Sequence, residues 1–319
     1  NADYLLSILK NPLSESDFKS LYESENIDNI SGNFKNKVIS KEEFINCIKE
    51  VNNNDPLNNI YIICNPLAYL TLGNVKNNIE NYEKTVNEIK NVQQNIFMNC
   101  AYLLSQFFPP NIIITNKINL LFGSRIAGWR GSNNEIQLDL NRFGNNYDLF
   151  TKYLTRELFY DVKNATQLNT IDYLYSNEDT ILIKLIEEVY DNGISNYLAP
   201  ILQANRPQSL LEKDFALFKR TYKAIIEKKP TEIIDSLFCI GSKEMYFHSM
   251  GTQMAYSLDV YLGRNSIRNA LMYGPLFFFK EYMEAYNLDD TKIRSVFRLP
   301  KDFEKKLESM NRSVSYDMM

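Results

Sequence analysis

A single histidine, His248, stands in the 319-residue sequence. A chain so poor in imidazole cannot build a site needing two histidine ligands, or a histidine relay. Basic residues are not in excess either. Lys+Arg 35 against Asp+Glu 39 gives a formal charge of −4, which leaves no bulk positive field to neutralise phosphates and disfavours nucleic acid as a partner. There is no run of 18 apolar residues, so no transmembrane helix is expected. Cysteine is scarce, and Cys47, Cys64, Cys100 and Cys239 lie far apart without CxxC spacing. They are expected to be buried, reduced thiols behaving as small hydrophobes. Glycine numbers only 11, and no Gly-rich phosphate loop is present, since Gly123-Ser-Arg-Ile-Ala-Gly128 lacks both the lysine and the strand-to-helix setting.

What the chain does contain is ordinary globular material, 45% hydrophobic and 23% charged, long enough to bury a core without disulfides. Its wealth of Asn, Ile, Tyr and Lys is the bias of an AT-rich genome, so Asn runs carry no functional weight. Asn1-Ala2 reads as the remnant of an expression tag. The compartment stays open, because a signal peptide could have been trimmed.

Periodicity organises the chain. Ser14 with Asp17, and Ser40 with Glu43, have the spacing of capping boxes. The β-branched segments 59–64 and 111–115 read as strands, and Ile79 to Leu104 as one long helix. Glu135-Ile-Gln-Leu-Asp-Leu140 alternates polar with apolar residues and is expected to be a half-exposed edge strand. Beyond residue 147 the pattern is helical, with helices near 147–164, 178–199, 212–229, 242–262, 266–273 and 275–287. Ser242 is the expected N-cap of the fourth and Gly263 its stop. The expectation is a mostly helical α+β fold. Residues 1–146 carry N-terminal helices and a small sheet, residues 147–319 form a helical half, and the two make one continuous unit around a cleft.

Four segments have a shared layout. An extended Trp129–Leu140 leads into a helix bearing Thr155-Arg-Glu-Leu-Phe-Tyr-Asp161. A second helix carries Glu187-Glu-Val-Tyr-Asp-Asn-Gly-Ile-Ser195, and then comes Tyr246-Phe-His-Ser-Met-Gly-Thr-Gln-Met-Ala255. This order resembles a bacterial family of zinc-dependent peptidases of gluzincin type. In that family an edge strand precedes an HExxH helix, a later helix supplies a glutamate before glycine, and a further helix lines the cleft. The resemblance implies a zincin-like fold. It places Arg156 and Tyr160 at the two histidine positions, Glu157 at the general base, and Asn192 at the third ligand. In an intact motif, i and i+4 side chains grip one Zn²⁺ while the glutamate takes a proton from the metal-bound water. Here only the base matches, so zinc is expected to be absent.

The expected site comprises Glu157 as a vestigial base, Tyr160 and His248, with Arg156, Glu188, Asn192, Tyr246, Ile136 and Leu138 as binding residues. A peptide or protein partner would pair its backbone with the 135–140 edge. Arg156, or another nearby Arg or Lys, is expected to pair with a carboxylate of the 178–199 helix, Glu188 first. His248 could equally be a packed residue, and Glu187, Glu188 and Asp191 a solvated face. The leading expectation is a catalytically inactive zinc-peptidase homologue with a peptide-binding cleft. Its rivals are a metal-independent hydrolase using Glu157, Tyr160 and His248, and an interaction protein with a filled cleft.

Overall fold

The computed structural model describes residues 2–24, 27, 40–53, 66–108, 114–121, 127–130, 135–143, 146–166, 179–200, 206–288 and 290–316. Helices dominate: α1 (Ala2–Lys10), α2 (Glu15–Tyr22), α3 (Lys41–Asn53), α4 (Pro66–Asn77) and α5 (Ile79–Ser105) precede a small sheet, β1 (Lys117–Leu121), β2 (Gly128–Arg130) and β3 (Glu135–Asp139). Then follow α6 (Tyr147–Thr166), α7 (Thr180–Leu198), α8 (Gln208–Ile226), α9 (Thr231–Lys243), α10 (Tyr246–Tyr261), α11 (Arg264–Tyr273), α12 (Pro275–Asn287) and α13 (Lys301–Tyr316). The protein is a mostly helical α+β fold. Contacts divide the chain into two compact units, residues 1–100 with 115–157, and residues 101–114 with 158–319. The division falls inside α6, after Glu157.

In the first unit the capping boxes form as their spacing requires. Asp17 and Glu43 side chains accept from the backbone of Ser14 and Ser40, and each serine oxygen accepts in return from the backbone amide of its partner. The apolar stripes of α1 and α3 (Leu5, Leu6, Leu9, Phe44, Ile45, Ile48) are then fully buried.

The sheet corrects the expectation of an edge strand at 135–140. Its order is β1-β3-β2, so β3 is central, parallel to β1 and antiparallel to β2. Ile136 and Leu138 are fully buried inside it. The polar–apolar alternation misled because its polar members are buried too. Asp139 accepts from the Asn141 backbone at 3.0 Å and caps the turn Leu140–Arg142, and the Gln137 amide donates to Glu135 at 3.2 Å. Alternation marks a wetted face only when the polar side chains reach water. Among the described strands the edges belong to β1 and β2. The expected strand 59–64, with Cys64, lies outside the described residues, as do residues 111–113; the observed strand begins at Lys117.

In the second unit the expected helix 242–262 begins at Tyr246, and its first two residues close the helix before it. Met245 takes a left-handed conformation (φ 61°) between α9 and α10, so Ser242 ends α9 instead of capping α10. Helix α9 went unread. Its signal was Pro230, which precedes α9 as Pro207 precedes α8, since proline's fixed φ suits a helix entry. Gly263, at φ 83°, does terminate α10. The core here is aromatic. Phe215, Phe218, Phe278 and Phe279 are wholly buried, and Phe279 meets Phe218 at 5.9 Å and Phe303 at 5.6 Å. Among the described residues no helix is long and apolar enough to cross a membrane.

Candidate functional site

Helix α6 carries the motif positions on one stripe. Arg156, Tyr160 and Lys163 stand at i, i+4 and i+7 and share a face. Opposite the C-terminal half of α6, α7 presents Glu188, Asp191 and Asn192, again one helical turn apart.

Two of the expected ligand positions meet directly. The Tyr160 hydroxyl donates to the Asn192 side-chain oxygen at 3.2 Å, and the Asn192 amide donates back to the Glu188 carbonyl at 2.9 Å. One turn on, Lys163 Nζ lies 2.6 Å from Asp191 Oδ1, with 11% and 25% of the two side chains exposed. The ammonium also sits 5.7 Å from the Tyr190 ring centre. Tyr190 is buried with its hydroxyl on the Ala270 carbonyl (3.0 Å), and burial, reinforced by Asp191, pushes its pKa well above the ordinary phenol value. Glu188 accepts from the Ser242 hydroxyl at 2.8 Å. The carboxylate of α7 thus takes its cation from Lys163, the alternative form of the expectation, with Asp191 as the acid in place of Glu188.

Arg156 is half-buried. Its guanidinium lies 6.0 Å from the Tyr153 ring centre, and its Nε is buried without a hydrogen-bond partner among the described residues. Glu157, the base position, runs beneath β2: a Cβ on Gly128 would lie 3.6 Å from Glu157 Cγ and 2.8 Å from Leu138 Cδ2. No described strand pairs with the outer edge of β2.

The other family-like segments turn out to hold α7 against α10. A Cβ on Gly193 would meet Gly251 Cα at 2.3 Å, and one on Gly251 would meet the Val189 carbonyl oxygen at 2.0 Å. Thr252 hydrogen-bonds across the crossing to Asn196 at 3.0 Å. Tyr246, the first residue of α10, is half-buried beneath the Arg206 guanidinium, 5.9 Å from its ring centre. His248 is buried, 8% exposed. Sequence reasoning allowed for a pair such as Lys163–Asp191 without naming those two residues as its partners, although Lys163 stands two turns beyond Arg156 on the same face. It missed Arg206, whose guanidinium holds the wholly buried Asp214 with two bonds of 2.7 and 2.9 Å. Burial nevertheless raises the Asp214 carboxyl to about 6, against the opposing pull of Arg206. Of the thiols, Cys47 and Cys100 are buried as expected, and burial pushes Cys100 up to about 11. Cys239 departs from the expectation and is exposed on α9.

The donor set does not fit zinc. A guanidinium is cationic and carries only donors, and a tyrosine hydroxyl donating to an amide oxygen keeps its proton. Among the described residues no three His, Cys, Asp or Glu side chains come together to hold a metal ion.

A small sheet whose last strand leads into a helix bearing the motif positions, followed in the chain by further helices, defines the class: a mostly helical α+β protein. The chain belongs to the family described as "Putative zinc dependent peptidase (DUF5700)", whose model matches residues 18–291. No curated protein and no solved structure matches it.

Proposed function

We propose that this chain is a catalytically inactive member of its zinc-peptidase family which binds extended peptide. The observation that carries the proposal is the hydrogen bond from Tyr160 to Asn192. Two positions that an active relative would give to metal ligands are joined by a neutral tyrosine–amide contact, and the helix turn before them ends in a cation, Arg156. Such a set satisfies itself without a metal, and a cation at the first position repels one. The base position, Glu157, then lacks the activated water on which it would act.

Peptide binding is carried by the sheet. Among the described strands β3 is covered on both sides and the edge next to α6 is β2, and main-chain pairing to an exposed edge needs no metal. The paired segment would run alongside Gly128, beneath which the Glu157 side chain passes.

The test combines elemental analysis with turnover and binding. Protein dialysed against Zn²⁺ and then against buffer should retain far less than one zinc per chain. It should leave a peptide library uncleaved, with or without chelator, and bind extended peptides saturably. Stoichiometric zinc together with chelator-sensitive cleavage would overturn the proposal.

A further inference from the structure

Two of the cations withdrawn from water on or beside these helices are neutralised by carboxylates within the fold. Lys163 has Asp191 at 2.6 Å and Arg206 has Asp214 at 2.7 Å. Arg156 has no carboxylate and no hydrogen-bond acceptor among the described residues. Its Nε is sealed from solvent without a partner, whereas the terminal nitrogens are not sealed in this way. Arginine cannot relieve such a position by losing its proton. Nor is the side chain adrift. Its guanidinium lies against the Tyr153 ring, which is itself held edge-on to Phe143 at 5.2 Å. A planar fork that is oriented, partly desolvated and unpaired among the described residues is a preorganised receptor for a planar anion, because two parallel N–H···O bonds form without first ordering the side chain.

We infer that Arg156 is the anion-binding group of this protein and receives a carboxylate of its ligand. The ligand's peptide nature rests on the reading above, whereas the anion site rests on Arg156 alone. Where an active relative would set a dication against a peptide carbonyl, this chain sets a monocation suited to a full negative charge. The preferred ligand is therefore a peptide bearing an acidic side chain or a free C-terminal carboxylate.

The test uses the full chain and has two arms. In the first, sodium acetate replaces sodium chloride at constant ionic strength, and the Nε–Hε resonance of Arg156, identified by its absence in Arg156→Lys, is followed by NMR. A saturable shift with acetate is expected, and a response no larger than that to chloride overturns the inference. In the second, N-acetyl-(Leu-Ala)₃ peptides are compared as free acid and amide, and with a central glutamate or glutamine. At least one acidic form should bind about 10-fold more tightly than its neutral counterpart. The preference should vanish in Arg156→Gln and survive in part in Arg156→Lys, and which acidic form gains identifies the source of the carboxylate. Equal binding of acidic and neutral peptides by the unmodified protein overturns the inference and leaves peptide binding standing. Saturable acetate with no peptide bound does the reverse: it removes the peptide reading and keeps the anion site.

Discussion

Two ion pairs in the helical unit allow its electrostatics to be tested residue by residue. Lys163 and Asp191 are mostly withdrawn from water, so removing one partner strands the other. Lys163→Met is expected to destabilise the protein by about 3 kcal/mol, the low end for a buried pair, whereas Lys163→Met with Asp191→Leu should cost far less. Denaturant midpoints of the single and double variants measure the difference, and equal losses in both would show that packing, not charge, matters there. Asp214 gives a pH signature. Its folded pKa, about 6, lies above the ordinary 3.8, so folding favours its protonated form. The stabilisation linked to this proton is complete below pH 3.8 and disappears as pH rises through about 6. The stability gap between the unmodified protein and Asp214→Asn should therefore change between about pH 4 and pH 7 and be flat above that window. A gap that stays constant across it would contradict the assignment. Arg206→Met should lower stability by about 3–5 kcal/mol at neutral pH and by less in acid, where the stranded Asp214 can take up a proton.

The crossing of α7 and α10 makes the sharpest demand on sequence at the level of elements. Backbone occupies the space where a Cβ would stand at either Gly193 or Gly251, and backbone cannot rotate away as a side-chain tip can. Gly251→Ala should cost at least the roughly 1–3 kcal/mol of ordinary overpacking, in spite of alanine's better helix propensity. Thermal unfolding of the variant decides it, and an unchanged or raised midpoint would mean that the helices can separate freely. These glycines also show how far the sequence could be read. Asn192-Gly-Ile-Ser and Met250-Gly-Thr-Gln stood out as family-like segments, but their place at a helix crossing depends on two elements some sixty residues apart meeting, which no local pattern carries. Local signals fared better. The capping boxes, the long α5 and the stop at Gly263 all depend on residues within one or two turns and are formed. The edge assignment failed because the polar members of β3's alternation, Gln137 and Asp139, are buried inside the protein, and strand order in a sheet depends on partners outside the strand.

For the molecule as a whole, the question is whether the frame still accepts the metal that its family's description names. The stripe on α6 was legible because i, i+4 spacing fixes a shared helix face, and the contact of Tyr160 with Asn192 shows that α7 supplies its partner at hydrogen-bonding distance. On the reading proposed above, side-chain chemistry, more than backbone position, separates the matched positions from a zinc site. Restoring donors should restore affinity. In Arg156→His with Tyr160→His and Asn192→Glu, two imidazoles stand one turn apart on α6, and the carboxylate replaces an amide that already touches the second position. Three such donors with water in the fourth place make the coordination of a catalytic zinc site. The triple variant is expected to bind Zn²⁺ and to gain thermal stability with it, by about 2.7 kcal/mol once free metal reaches a hundred times the dissociation constant. The unmodified protein should show no such gain. Calorimetric melting across a Zn²⁺ titration, with Mg²⁺ as the control, reads both. The order of reversion is informative as well. Tyr160→His with Asn192→Glu alone should bind weakly while Arg156 still places a positive charge one turn away, and Arg156→His should supply the largest single increment. If the triple variant melts identically with and without zinc, the matched positions do not form a metal-binding frame, and the likeness to an active zinc peptidase would stop at the order of its helices.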